Sequence, residues 1–215
     1  MEINALEYAK KIAFSSTETL LFTHSCAQAM KDKEGDYVEC GVAAGAQIIA
    51  MACAAPKKTV HAFDSFEGIP LPSNRDDQMP GIKMLTEDEI KKLPNAGEQK
   101  LKTTGATSFS VEQFRKNIAV LKYSNIEIHK GWFEETMPNN TIDKISILRL
   151  DGDLYNSTMV CLKYLFPKVI KGGYVIIDDW ELLGCRNACV EYFESIGYSP
   201  NYKQVSNIKY FIYGE

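Results

Sequence analysis

Residues 145–180 read ISILRLDGDLYNSTMVCLKYLFPKVIKGGYVIIDDW, and this stretch decides the fold because it has the pattern of a strand, a helix and a second strand. Its first six residues are mostly apolar or β-branched, which is typical of a parallel strand buried on both faces. Pro167 is expected to end the helix, because proline lacks an N–H group and clashes with the preceding turn. Gly172 and Gly173 are expected to turn the chain into the second buried strand, residues 174–177. The pattern indicates an α/β fold with a parallel sheet.

Acidic residues follow both of these strands. Asp151 and Asp153 follow the first strand, and on extended backbone their side chains would point the same way, whereas Asp178 and Asp179 follow the second. The carboxyl ends of neighbouring parallel strands form the ligand-binding edge of an open sheet, so the four carboxylates are expected to converge there. They would repel one another without a cation, and oxygen ligands favour Mg²⁺ or another hard divalent cation. The alternative is that Asp179 caps the next helix and Asp153 occupies a turn, but for the set we favour the metal site.

A glycine-containing turn follows the first predicted strand, residues 36–40. Glu39, Gly41 and Gly45 form the pattern E-x-G-x-x-x-G in front of an apolar helix. Glycine permits a tight turn and a close approach of a ligand, and the helix N-terminus favours an electronegative group. The next predicted strand ends at Asp64, a position that suits the hydroxyls of a ribose in nucleotide-binding α/β folds. The alternatives are that the turn needs glycine for its own geometry and that the aspartate is a cap or turn residue.

A third predicted strand, residues 126–130, ends in Gly131 and Trp132. A tryptophan at this edge of the sheet could pack against an adenine ring or could close the core, and the sequence leaves both open. His129 lies just inside the end of the strand and is a weak candidate for acid–base chemistry.

The chain is expected to form one domain, residues 1–215. Residues 1–34 are predicted to be a helical extension that covers a sheet face, the cofactor cleft or a second subunit, which would give a homodimer. Residues 65–107 are rich in proline and glycine and are predicted to be an insertion that serves as a lid or substrate loop, with a short helix at 86–93. Residues 202–213 are predicted to be a closing antiparallel hairpin.

Composition excludes several classes of partner. The net charge of −4 argues against nucleic acid and against an acidic membrane surface, and no apolar run is long enough to span a membrane. The first residues, MEINALEYAKK, lack the layout of a signal peptide. The six cysteines form no C-x-x-C pair and mostly lie in apolar patterns, which predicts buried thiols in a reducing, cytoplasmic protein.

Several blocks of the sequence resemble the macrocin O-methyltransferase family, which belongs to the class I S-adenosylmethionine-dependent methyltransferases. The resemblance covers roughly residues 35–195, with the blocks in the same order and at similar spacing. The last block is the most specific. The blocks are YVECGVAAGAQIIAMA at 37–52, HAFDSFEGIP at 61–70, HKGWFEETMP at 129–138 and the segment 145–180.

The resemblance implies a Rossmann-like class I methyltransferase fold, with helices on both faces of a seven-stranded, mostly parallel sheet whose last strand is antiparallel. It also implies a role for each candidate site residue. These are Glu39, Gly41 and Gly45 in the S-adenosylmethionine turn, Asp64 and Ser65 at the ribose, Gly131 and Trp132 near the adenine, Asp151, Asp178 and Asp179 as Mg²⁺ ligands, and Asp153 as general base.

The implied function is Mg²⁺-dependent transfer of a methyl group from S-adenosylmethionine to a hydroxyl of a sugar or another small-molecule or glycoside acceptor. Better-known members of the family methylate sugar hydroxyls on antibiotics. This chain is shorter than many of them, so the acceptor itself is not carried over. Two alternatives stay open, a non-catalytic protein that binds S-adenosylmethionine or a nucleotide, and a metal-dependent phosphoester hydrolase that uses the same carboxylates.

Overall fold

A twisted sheet forms the centre of the computed structural model, which describes residues 4–76, 103–122 and 125–215. Its strand order is β3-β2-β1-β4-β5-β7-β6. The strands are β1 (Asp36–Cys40), β2 (Val60–Asp64), β3 (Ile126–Lys130), β4 (Ile145–Leu150), β5 (Val169–Ile177), β6 (Lys203–Val205) and β7 (Ile208–Ile212).

The strand directions place the ligand-binding edge. Parallel pairing joins β1 to β2 and β4, β2 to β3, and β4 to β5, whereas β7 runs antiparallel to β5 and β6. The prediction of a seven-stranded, mostly parallel sheet with an antiparallel last strand is therefore confirmed. The chain first adds β2 and β3 on one side of β1 and then returns to add β4 on its other side. In doubly wound folds a crevice opens where the strand order reverses in this way.

Helices cover both faces of the sheet, as predicted. One apolar core lies between the sheet and α1 to α4, and contains Ile48 and Phe114; the other lies under α6 and α7, and contains Leu148 and Phe193. The helices are α1 (Ala5–Ile12), α2 (Thr17–Met30), α3 (Ala46–Ala54), α4 (Val111–Ile118), α5 (Phe133–Thr136), α6 (Tyr155–Leu165) and α7 (Leu183–Ser195).

The start of β5 differs from the prediction. The strand begins at Val169, before the two glycines, so these residues do not turn the chain into it. Ile145 pairs with Val169 and Ile147 pairs with Tyr174, which leaves an irregularity in the register between the two pairs. Gly172 lies in this irregular stretch with φ +81°, a left-handed conformation that favours glycine. Periodicity alone could not separate a bulge inside a strand from a turn before it.

Other local predictions are confirmed. Pro167 lies in a short 3₁₀ turn, Phe166–Lys168, directly after α6. The two N-terminal helices form, and the Ser16 side chain accepts a hydrogen bond from the N–H of Thr19 at the start of α2. The six cysteines are unpaired and all except Cys53 are buried.

The N-terminal helices pack against α3 and thereby extend the layer on one face of the sheet. A homodimer built on them stays a prediction, as does a cytoplasmic location. Among the helices that the structure describes, none is both long enough and apolar enough to cross a membrane. The predicted helix at 86–93 and the middle of the predicted insertion, 77–102, lie outside the described residues.

Candidate active site

A cavity of about 290 Å³ opens at the carboxyl ends of β1, β2 and β4. Its position is the crevice expected where the strand order reverses. Most of the residues that the sequence predicts for the site line it, whereas Gly45, Gly131 and Asp179 lie next to lining residues. The predicted residues that line the cavity are Glu39, Gly41, Asp64, Ser65, Trp132, Asp151, Asp153 and Asp178.

The glycines of the first turn are required by the packing of the chain. Gly41 has φ +87°, and a Cβ atom there would lie 1.7 Å from the carbonyl oxygen of Asp151. Gly45 has φ +90° at the start of α3, and a Cβ atom there would lie 2.8 Å from the ring of Phe114. The ends of β1 and β4 can therefore approach each other only because residue 41 has no side chain. Contact of this turn with a cofactor stays a prediction.

Asp64 holds the glycine turn from the neighbouring strand. Its Oδ2 atom accepts hydrogen bonds from the N–H groups of Val42, at 2.8 Å, and Ala43, at 3.1 Å, and its Oδ1 atom accepts one from Phe66 at 2.6 Å. Burial raises the pKa of this carboxyl group, and the three N–H donors oppose the rise. A carboxylate oxygen can accept more than one hydrogen bond, so capacity for a ribose hydroxyl remains. Ser65 caps the same local turn, since its Oγ accepts from the N–H of Glu67 at 3.1 Å.

Arg149 is a site residue that the sequence reasoning missed. Its fully buried guanidinium donates from Nη1 to Glu39 Oε1 at 2.7 Å and to Asp151 Oδ2 at 2.6 Å, and from Nη2 to Asp178 Oδ1. The chain thus supplies one cation among the acidic residues itself. A signal was available, because a charged residue in the middle of an apolar buried strand requires a partner of opposite charge.

Three aspartates come together beside this guanidinium. One carboxylate oxygen each from Asp151, Asp178 and Asp179 lies within 4.8 Å of the others. Arg149 engages one oxygen of Asp151 and one of Asp178, which leaves the second oxygen of each carboxylate for another ligand. An oxygen-only donor set of this kind fits Mg²⁺ or another hard divalent cation. The predicted convergence is confirmed for these three residues, and the metal itself stays a prediction.

Asp153 lies next to these three aspartates, but its backbone conformation differs from the prediction. Its φ of +58° is left-handed, so the extended backbone assumed between Asp151 and Asp153 is wrong. The N–H of Asp153 donates to Asp179 Oδ2 at 2.9 Å, which holds the turn. The left-handed conformation agrees with the alternative role of Asp153 as a turn residue, and its role as general base stays a prediction, while Asp179 does not cap the next helix, because the N-cap of α7 is Leu182.

Burial and mutual repulsion set the electrostatics of these carboxyl groups. Burial, with the charges of Asp151 and Asp178, raises the pKa of Asp153 to about 8. Burial raises the pKa of Asp178 to about 6, although Arg149 opposes the rise. The pKa of Asp179 also lies well above its usual range, chiefly through burial. The negative charge of these carboxyl groups therefore exceeds the single positive charge of Arg149, and an added cation would reduce the repulsion among them.

Trp132 lines the cavity and is only half-buried. It belongs to neither apolar core, which favours a contact with a ligand over closure of the core. Gly131 has φ +144° in front of it, and a Cβ atom there would lie 3.0 Å from the methyl carbon of Thr136. His129 does not line the cavity, and its ring stacks on Phe63 instead.

The N-terminal segment contributes lining residues that no motif had indicated. Ile12 at the end of α1 and Phe14 and Ser15 in the connection to α2 line the cavity, as does Asn207 from the closing hairpin. Gln47 of α3 donates from Nε2 to Ser15 Oγ at 2.8 Å and ties this segment down. Residues 1–34 are predicted to cover a sheet face, the cofactor cleft or a second subunit. The described part of this segment covers the first two. The described ends of the predicted insertion also border the cavity, and its role as a lid stays a prediction.

Comparison of the sequence with known proteins points to one family. A profile of the macrocin O-methyltransferase family matches residues 22–211. The chain is 34% identical over 169 residues to the demethyldecarbamoylnovobiocin O-methyltransferase of Streptomyces niveus, an alignment that covers 74% of this chain and 58% of that protein. It is 31% identical over 189 residues to the mycinamicin III 3''-O-methyltransferase of Micromonospora griseorubida, with 85% and 70% covered. The chain thus spans less than two thirds of the first of these relatives.

Solved structures agree with the fold. The O-methyltransferase NovP superposes with a TM-score of 0.73 at 28% identity, over 92% of this chain and 80% of that one. The calicheamicin methyltransferase CalS11 superposes with a TM-score of 0.65 at 16% identity, over 98% and 92%, which shows the fold alone. The predicted Rossmann-like class I methyltransferase fold is therefore confirmed.

Proposed function

This chain belongs to the macrocin O-methyltransferase family, and from that membership we propose that it transfers a methyl group from S-adenosylmethionine to a hydroxyl oxygen of a small molecule. The observation that carries the proposal is the shared cavity, which is lined both by the glycine turn and Asp64 and by Asp151, Asp153 and Asp178. A donor site and an acceptor site within one cavity are what a direct methyl transfer requires.

The donor would be held by residues of β1, β2 and the loop after β3. The turn that begins at Gly41, the Asp64 carboxylate and Trp132 all border the cavity. Glu39 adds a buried acceptor, because its Oε2 atom has no hydrogen-bond partner among the described residues. Burial raises the pKa of this group to about 8, and an ammonium group of a bound cofactor would favour its charged form. S-adenosylmethionine, when bound, supplies an electrophilic methyl group.

The acceptor would be held and deprotonated on the other side of the cavity. Asp151, Asp178 and Asp179 would hold a divalent cation, which when bound lowers the pKa of a coordinated hydroxyl. Asp153 would take the hydroxyl proton on its carboxylate. Burial and the charges of Asp151 and Asp178 raise its pKa, and a cation on those two carboxylates would offset their charge and so favour the ionised form that a general base needs. Arg149 would hold two of the metal-binding carboxylates in a fixed orientation.

A sugar hydroxyl is the acceptor class that we propose. The chain is 30% identical over 181 residues to a Streptomyces olivaceus enzyme named as a rhamnosyl-tetracenomycin 4'-O-methyltransferase, with 80% of this chain and 62% of that protein covered. The phosphoester hydrolase alternative has no use for the paired glycine turn and Asp64. The non-catalytic alternative does not account for the convergence of Asp151, Asp178 and Asp179 beside Asp153.

Calorimetric titration with S-adenosylhomocysteine, with and without MgCl₂, tests the proposal. We expect micromolar binding, followed by methyl transfer to at least one glycoside in a screen of hydroxylated acceptors with Mg²⁺ present. Absence of binding under both conditions would contradict the assignment of the glycine turn and Asp64. Binding without methyl transfer to any sugar, together with transfer to a phenol or catechol, would contradict the acceptor class only.

A further inference from the structure

A second group of ligand-type side chains lies on the edge of the sheet, away from the cavity. It consists of His61 on β2 and of Glu127 and His129 on β3, the edge strand. Parallel pairing brings His61 opposite Glu127. One ligand atom from each residue lies within 4.8 Å of the others, and none of the three lines the active-site cavity. The donor set is two imidazoles and one carboxylate.

The distances within this group suit a tetrahedral metal. His61 Nδ1 lies 3.0 Å from His129 Nε2 and 3.5 Å from Glu127 Oε2. Zinc bonds of about 2.0–2.1 Å at tetrahedral angles place neighbouring ligand atoms roughly 3.3 Å apart. These two separations bracket the value that a shared zinc ion would give.

The surroundings hold both imidazoles in place. His61 is 5% exposed, and its far nitrogen, Nε2, lies 3.3 Å from Asp36 Oδ2 at the start of β1. A carboxylate on the far nitrogen is the usual second partner of a metal-binding histidine, because it leaves the near nitrogen with a lone pair. The His129 ring is stacked on fully buried Phe63, with 4.0 Å between ring centroids and 8° between planes.

A hydrogen bond between the two imidazoles is the simplest alternative, and it leaves one contact unexplained. With its hydrogen on Nε2, facing Asp36, His61 presents a lone pair on Nδ1 to both His129 and Glu127. One hydrogen on His129 Nε2 satisfies one of these contacts only. The carboxylate oxygen of Glu127 then faces a lone pair at 3.5 Å, and either a second proton on His61 or a metal ion shared by the three side chains would make this contact favourable.

We propose that His61, Glu127 and His129 form a zinc site that joins β2 to β3. Two histidines and a glutamate form an established three-residue ligand set for zinc, with a fourth position open to water. The Glu127 side chain is 61% exposed, so solvent reaches that position. Of the strands joined by the ion, β2 ends in Asp64, and β3 is followed directly by Gly131 and Trp132. The ion would thus stabilise the sheet edge that carries one wall of the cavity.

Titration of the full chain with Co²⁺, followed by visible absorption, tests this site because Co²⁺ replaces Zn²⁺ and gives absorption bands that depend on coordination. We expect one equivalent of Co²⁺ with the intense bands of a four-coordinate site, displaced by one equivalent of Zn²⁺. His129→Gln is expected to abolish the bands, and Glu127→Gln to weaken Co²⁺ binding at least about tenfold. The chain has three histidines, so His24→Gln, in α2 and outside the group, is the matched control and should leave the bands unchanged.

The experiment must also distinguish this site from the group of Asp151, Asp178 and Asp179 in the cavity. Asp178→Asn should leave the Co²⁺ bands unchanged, since that trio offers oxygen ligands only. Bands that disappear in Asp178→Asn and persist in His129→Gln would overturn the proposal, as would the absence of such bands in the unchanged protein. Zn²⁺ should also raise the melting temperature of the unchanged protein and of His24→Gln, but not that of His129→Gln, which shows in the same experiment that each variant folds.

Discussion

Replacement of Arg149 by methionine is expected to destabilise the protein more than any other single removal of a charge described here. The guanidinium is fully buried and binds Glu39, Asp151 and Asp178. Removal of one partner from a buried ion pair leaves an uncompensated buried charge, which costs about 3–5 kcal/mol. That is a large part of the total unfolding free energy of a domain, which is about 5–15 kcal/mol.

Urea titration in EDTA, with the free energy of unfolding extrapolated to water, measures this loss without a contribution from bound metal. Lys144→Met is the matched control, because Lys144 pairs with Glu34 at 2.5 Å on the surface, and exposed pairs contribute little. The double variant Glu39→Gln/Arg149→Met should be more stable than Arg149→Met by about 1 kcal/mol or more, because one of the stranded carboxylates is gone. A loss below about 1 kcal/mol in Arg149→Met, or no recovery in the double variant, would refute the reasoning.

The loss should also depend on pH. Burial raises the pKa of Glu39 from 4.5 to about 8, and the charge of Arg149 is the main influence that lowers it, so the pKa rises further in Arg149→Met. A carboxyl group whose pKa is higher in the folded than in the unfolded protein stabilises the fold below the unfolded pKa. This stability is lost as the pH rises through the folded pKa. Both proteins lose this stability in parallel from pH 4.5 to about 8, so Arg149→Met should become progressively less stable relative to the unchanged protein only above about pH 8, and a difference that stays constant there would contradict this cause.

Four further substitutions and one control test the site and the packing around it. Gly41→Ala should prevent folding or cost about 4 kcal/mol or more, because its Cβ atom would overlap a carbonyl oxygen. Gly172 also has a left-handed φ, +81°, but open space around it, so Gly172→Ala should cost only about 1–2 kcal/mol in urea titrations. Asp153→Asn should bind S-adenosylhomocysteine normally and lose about 10²–10⁴-fold in kcat, and near-normal turnover would remove it as general base. Asp178→Asn should raise the Mg²⁺ concentration needed for half-maximal activity, and an unchanged requirement would remove it as a ligand. Asp76→Ala should lower the free energy of unfolding by about 1 kcal/mol, because its carboxylate accepts from the first N–H of α6 at 2.7 Å, and an unchanged value would show that this contact contributes nothing.

The parts of the fold that sequence predicted correctly are those with local causes. The apolar run Ile145–Leu150 is buried at every position, as a central parallel strand requires. Pro167 lies in the turn directly after α6, where a residue without an N–H group ends the helix. The convergence of Asp151 and Asp178 followed from a general rule, since the ends of adjacent parallel strands meet at one edge.

The parts that sequence did not predict depend on contacts between distant segments. Asp76 looks like a solvated charge in a proline-rich stretch, yet it accepts a hydrogen bond from the N–H of Tyr155, which is 79 residues away in the chain. Neighbouring Arg75 lies over the Tyr155 ring and pairs with Glu191. The lining role of Phe14 is similar, because nothing in its own segment specifies the surface against which it packs.

Because of Arg149, the acidic cluster does not need a metal ion to orient its carboxylates. Four converging carboxylates with no internal cation would have to bind an ion or take up protons, because burial of like charges raises their pKa. Here the guanidinium already engages one oxygen each of Asp151 and Asp178, so these side chains are oriented without an ion. A divalent cation can then enter and leave as acceptors bind and products depart, which suits a catalytic role. At the edge site of His61, Glu127 and His129, an ion would instead serve to join two strands. The two groups are therefore expected to differ in exchange as well as in ligand type, with Mg²⁺ labile at the first and Zn²⁺ retained at the second.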